Sequence, residues 1–150
     1  MNRGGKPDLE IAHSRELFSA GAEDIWGWKT PAGQERVRAR VRWIARVCNL
    51  KPGVRVLECG CGTGVFTRLI AETGASITAV DISPELLEDA RKLCPAPNVT
   101  FLRANLEYPE ELPDDFFDVL YGVSILHHLD LPKTLVALKK KLKPGARFAF

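Results

Sequence analysis

The chain has 150 residues, 45% of them apolar and 27% charged, with a formal charge of +2. That length fits one compact domain burying roughly two-thirds of its unfolded surface, and the composition excludes a disordered chain; so small a charge gives no argument for nucleic acid. No apolar run reaches the roughly 18–20 residues of a membrane span, and the polar start from Met1 to Leu9 has no apolar h-region, so no secretory signal is expected.

Met1 to Pro7 reads as loosely held. Asp8 to Phe18 reads as a helix without a clear apolar stripe, and Asp24 to Thr30 as a loop carrying Trp26 and Trp28. Thr30-Pro31 opens the next helix, because threonine can cap it and proline at the first position loses no useful N–H. Val37, Val41, Ile44 and Cys48 keep one face of it apolar, Arg36, Arg38, Arg40, Arg42 and Arg46 mostly face elsewhere, and Asn49 ends it. Residues 1–49 are read as a helical cap and residues 50–150 as the core.

Leu50-Lys51-Pro52-Gly53 turns the chain into Val54-Arg55-Val56-Leu57-Glu58, a buried strand closed by an acid. Glycines follow at alternate positions, Gly60, Gly62 and Gly64, and Val65, Phe66, Leu69 and Ile70 then recur at helical spacing up to Gly74. Strand, glycine turn and helix open a nucleotide-binding βαβ unit, since glycine lets the backbone approach a ligand. Ser76 to Val80 is the second strand, closed by Asp81, and Ser83-Pro84-Glu85 caps a helix running to Leu93. Val99 to Ala104 is the third strand, followed by Asn105 and an acidic, proline-broken loop. Phe117 to Val123 is the fourth, Pro132 to Lys141 a helix, Leu142 to Gly145 a turn, and Ala146 to Phe150 the opening of a fifth strand.

Strands alternating with helices predict a Rossmann-like, doubly wound, mostly parallel α/β sheet. Stopping in the fifth strand leaves an apolar strand at an edge, so further C-terminal strands are expected and the chain is read as the N-terminal part of a longer protein. Of the four cysteines, Cys48, Cys59, Cys61 and Cys94, none forms a C-x-x-C pair; no metal site is expected, and reduced thiols in a cytoplasmic protein are the simplest reading.

The glycines discriminate between nucleotides. A dinucleotide fingerprint needs a third glycine where Val65 stands, and a phosphate loop needs a Gly-Lys-Ser/Thr that is absent. Acid followed by G-x-G-x-G resembles the first motif of class I S-adenosylmethionine-dependent methyltransferases, here of the small-molecule type. Val80-Asp81-Ile82-Ser83, Phe117 to Leu129 with its His127-His128 pair, and Leu142-Lys143-Pro144-Gly145 resemble that family's later blocks in order, from about Leu50 to Phe150.

The resemblance implies S-adenosylmethionine as cofactor, with Glu58 meeting the methionine ammonium. The backbone of Gly60, Cys61, Gly62, Thr63 and Gly64 would line the amino-acid part, and Tyr121 and Gly122 would border it. It places the ribose hydroxyls on Asp81 and the adenine on Ile82. One departure is Asn105, where the family usually has an aspartate for the adenine amino group; asparagine still offers a carbonyl, and Leu106 a neighbouring N–H. The implied activity is methyl transfer to an oxygen, nitrogen or carbon nucleophile, with a small molecule preferred as acceptor, nucleic acid not excluded and no membrane partner expected. Two other readings stand beside it: an NAD(P)-dependent oxidoreductase, opposed by Val65, and a non-catalytic or truncated donor-binding module.

Three features admit more than one reading. The two tryptophans read as packing residues, with a lid over substrate as the alternative. The arginine helix reads as a solvated face, with an RNA backbone as the alternative. On a strand or helix His127 and His128 would point apart, so one ion would take both only with a turn between them, and no metal is expected; either could serve as a general base, and His13 is a similar candidate.

Overall fold

The structure, a computed structural model, describes Ala12 and residues 27–150. The helix expected over Asp8 to Phe18, with His13, and also Trp26, lie outside the described residues. The elements are α1 (Pro31–Val47), β1 (Arg55–Cys59), α2 (Val65–Ala71), β2 (Ser76–Asp81), α3 (Pro84–Leu93), β3 (Val99–Arg103), β4 (Phe117–Gly122), a 3-10 turn (Leu126–His128), α4 (Leu131–Lys139) and β5 (Leu142–Ala149). The five strands form one sheet in the order β3-β2-β1-β4-β5, and every pairing is parallel.

That order fixes where a ligand can sit. The chain winds outward from β1 through β2 to β3, then returns to lay β4 on the other side of β1. The reversal opens a crevice at the carboxyl ends of β1 and β4, the switch point of a doubly wound sheet. Glu58 stands there, opposite Ala79 on one side and Tyr121 on the other.

Alternating side chains send each strand's residues to two cores. On one face Ile44 of α1 and Cys48 just past it, Ile70 and Ala71 of α2, and Leu87 of α3 pack on Val56, Ile77, Ala79, Val119 and Tyr121. On the other, Leu138 of α4 with Ala104, Leu106 and Leu112 covers Leu57, Cys59, Val80 and Leu120. The caps follow the local chemistry. Thr30 Oγ1 accepts from the Gly33 N–H at 3.0 Å, Ser83 Oγ from Leu86 at 3.3 Å, and Asp130 Oδ1 from Lys133 at 3.4 Å. Asn49 adopts φ +53° just past α1.

β5 departs from expectation. The Leu-Lys-Pro-Gly corner belongs to the strand: Leu142 pairs with Phe117, and the ladder then jumps so that Arg147 pairs with Val119. Proline has no N–H to give the ladder and Gly145 sits at φ +79°, so the residues between loop out as a bulge. Lys143 is thereby carried to Asp118, where it contacts Oδ1, while the Arg55 N–H donates to Oδ2 at 2.8 Å. A groove of about 440 Å³ at this amino end of the sheet is lined by Asn49, Lys51, Asp118, Lys143 and Arg147, among others.

Candidate active site

The glycine turn is pinned to β2. The Cys61 N–H donates to the Val80 carbonyl at 2.9 Å, and the Gly62 N–H to Asp81 Oδ2 at 2.9 Å. Gly62 has φ +54°, and a Cβ built on it would meet no heavy atom within 4 Å: this backbone borders open space. Gly64, at φ +82°, begins α2 without a side-chain cap, and a Cβ there would lie 3.0 Å from that of Ala90 on α3. A residue that sequence reasoning did not single out, Ile125, rests on the turn. A Cβ at Gly60 would come 2.6 Å from its Cδ1, and one at Gly122 2.7 Å from its Cγ2.

Glu58 is 3% exposed. Thr67 Oγ1, one turn into α2, donates to its Oε2 at 2.6 Å. Burial pushes the carboxyl up to about 7; Thr67 and the nearby Tyr121 phenol favour its charged form, and Asp81 opposes it. The Tyr121 hydroxyl, close enough to act electrostatically, sits outside hydrogen-bond geometry and is buried without a partner, as is Thr63 Oγ1. Burial, then the Glu58 charge, drives the phenol well above its ordinary range. Buried polar atoms are nearly always paired, so two orphans beside a backbone facing open space fit a polar ligand at this turn. Thr134 Oγ1, on α4, is a third such atom away from the turn.

Asp81 accepts from Gly62 on Oδ2 and from the Ser83 N–H at 3.0 Å on Oδ1. Burial raises its pKa despite the amides of Ser83, Gly62 and Ile82, and the proximity of His128 lowers it. A carboxylate has about four lone-pair sites, so acceptor capacity remains for a diol. Ile82 is half-buried beside it, its carbonyl taking Arg103 Nε at 3.2 Å.

Asn105 and Leu106 follow β3 as expected, but the Asn105 carbonyl already accepts from the Glu107 N–H at 2.9 Å. This local Asx turn leaves one lone pair and the amide N–H groups for a ligand. Leu106 is buried in the second core. The next residues clasp α4. Glu107 accepts from the Asp130 N–H at 3.3 Å and from Lys133 Nζ at 3.2 Å, and that ammonium lies 3.7 Å from the Tyr108 ring centroid.

His127 and His128 lie in a 3-10 turn, and their ring centroids are 3.9 Å apart with the planes at 43°; the tight turn brings together rings that a strand or α-helix would splay. Among the described residues no group of three or more His, Cys, Asp or Glu could hold a metal ion. Trp28 is half-buried and meets Phe66 of α2 edge-on, with centroids 5.3 Å apart.

Comparisons with known proteins bear on the family and the fold. Residues 57–150 match a family model described as "Methyltransferase domain". The demethylmenaquinone methyltransferase of Tropheryma whipplei is 36% identical over 108 residues, 71% of this chain and 44% of that protein. The mitochondrial ubiquinone biosynthesis O-methyltransferase of Schizosaccharomyces pombe is 32% identical over 150 residues, covering 92% and 52%. The ribosomal protein L11 methyltransferase of Burkholderia cenocepacia is 33% identical over 115 residues, covering 75% and 35%. The chain thus spans about half the length, or less, of these relatives. Among solved structures, an S-adenosylmethionine-dependent methyltransferase from Mesorhizobium loti superposes with a TM-score of 0.62 at 30% identity, covering 75% of this chain and 53% of that one.

Proposed function

The chain belongs to the class I S-adenosylmethionine-dependent methyltransferases, and from that premise we propose that it methylates an oxygen, nitrogen or carbon nucleophile of a small molecule, with a quinone-type ring as the preferred class. The observation that carries the reading is the meeting of Glu58 and Asp81 on one glycine turn whose Gly62 faces open space. Two of the relatives above are named for quinones and one for a ribosomal protein; the small-molecule preference rests on the first two. Residues 1–49 are proposed as a cap, with α1 doubling as a core layer. Four buried, unpaired thiols suit a reducing compartment such as the cytoplasm.

When bound, S-adenosylmethionine supplies a methyl group already activated by its sulfonium. The chain's task is then alignment and exclusion of water. Glu58 would hold the ammonium, and the backbone from Gly60 to Gly64 with Thr63 Oγ1 the amino-acid end. Asp81 would take the ribose hydroxyls, Ile82 the adenine face, and Asn105 and Leu106 its polar edge. Tyr121 and Gly122 would border the methionine end. Where the acceptor must lose a proton, either His127 or His128, next to each other in the 3-10 turn after β4, would serve as the base. A dinucleotide would need glycine at Val65, which instead opens α2.

Calorimetric titration tests the reading. Micromolar binding of S-adenosylmethionine or S-adenosylhomocysteine, with none of NAD, is expected; the reverse result would sink it. Donor binding without turnover on quinol, phenol, amine or protein acceptors would instead favour a non-catalytic module.

A further inference from the structure

The outward side of α1 concentrates a charge that the rest of the helix does not balance. Gly33, Val37 and Ile44 face the core. Glu35, the helix's one acidic residue, reaches Arg42 at 2.8 Å and Arg38 at 3.9 Å, so these two arginines are answered within the helix. Arg36, Arg40 and Arg46 are exposed and make no ion pair among the described residues. Helical spacing puts Arg36, Arg40, Trp43 and Val47 in a row. Trp43 is 46% and Val47 38% exposed, although a large indole gains more when covered.

We infer that this side of α1 seats the chain on an anionic lipid surface. The helix has 17 residues, about 25 Å at 1.5 Å per residue, long enough to lie along a membrane interface. In that position the indole sits at headgroup depth, Val47 meets the acyl boundary, and the guanidinium groups snorkel to lipid phosphates. Charge complementarity alone would also allow a nucleic acid. Val47 and the exposed Ala32 and Ala39 on the same side have no role against a phosphate backbone, but they do against lipid. This is lying on a membrane, distinct from crossing one: no helix among the described residues is long and apolar enough to span.

The inference rests on the methyltransferase reading and deepens it. Trp28, just before α1, packs on Phe66 in the first turn of α2, beside the glycine turn. A chain seated on α1 would bring the Trp28 end of that helix, and with it the start of α2 beside the glycine turn, close to the bilayer.

The test uses the 150-residue chain with Trp26→Phe and Trp28→Phe, so that Trp43 alone reports. Vesicles containing phosphatidylglycerol should sediment the protein and shift Trp43 emission to the blue. Brominated acyl chains should quench it, and pure phosphatidylcholine should do neither. Arg36→Gln with Arg40→Gln should weaken binding about thirtyfold, and raised salt should weaken it further. No partition, equal partition to neutral vesicles, or binding of single-stranded RNA in place of vesicles would overturn the inference. Quenching in the otherwise unaltered chain keeps the test valid should the arginine variant fold poorly. Calorimetry on the same samples separates the two claims: donor binding without vesicle binding removes only the docking, and vesicle binding without donor binding removes only the methyltransferase reading.

Discussion

Two carboxylates on adjacent strands, Glu58 late in β1 and Asp118 early in β4, are held in opposite ways. Asp118 accepts from the Arg55 amide, contacts Lys143, and has the Arg55 guanidinium at 3.7 Å. Partial burial pushes its carboxyl up, yet Lys143 and the Arg55 amide hold it below the usual range. Glu58 has one hydrogen bond, from Thr67, and no basic side chain among the described residues contacts it; burial takes it to about 7. One end of the sheet answers its charge with fixed cations. The other leaves a carboxylate to be completed by a ligand, the pattern expected where pKa perturbation accompanies function.

The largest expected effect breaks this contrast through pH. Glu58's folded pKa of about 7 lies above its ordinary 4.5. The stability it contributes is therefore fully present below pH 4.5 and lost as pH rises through 7. Without donor, urea unfolding should show a loss of about 3 kcal/mol across that window, and Glu58→Gln should flatten it. Next in size, Glu58→Ala and Asp81→Ala should each weaken donor binding by about 1–3 kcal/mol in calorimetry. Unchanged affinity in both would falsify the site assignment. The smallest effect sharpens the contrast from the other side. Asp118→Asn should cost about 1 kcal/mol of stability and leave donor affinity untouched. Because Asp118's folded pKa lies below its ordinary 3.8, that difference should hold above pH 3.8 and vanish as pH falls through the lowered value.

Much of this was legible because its signals are local. Buried parallel strands leave continuous apolar runs, and Thr30 and Ser83 announce their helices by chemistry acting within three residues. The acid at the end of β1 and the alternating glycines located the turn before any contact was known. What the sequence did not yield depends on contacts between distant segments. Proline and glycine at 144 and 145 read locally as a turn, while the pairing of Leu142 with Phe117 that makes them a bulge is set by β4. Ile125 resting on Gly60 and Gly122, and His128 near Asp81, need the switch point assembled first. The Asn105 carbonyl is a different lesson: its partner is two residues away, and the Asx turn was there to be read.

The approach of Gly64 to Ala90 has a consequence for how such a chain can diverge. A Cβ at Gly64 would press on both the Cβ and the Cα of Ala90, at 3.0 and 3.1 Å. A side chain at 64 must push α2 from α3, and α2 carries Thr67, which donates to Glu58. A helix-to-helix contact is therefore tied to a carboxylate on the neighbouring strand, so a side chain arising at 64 should be inherited together with a change that makes room at 90.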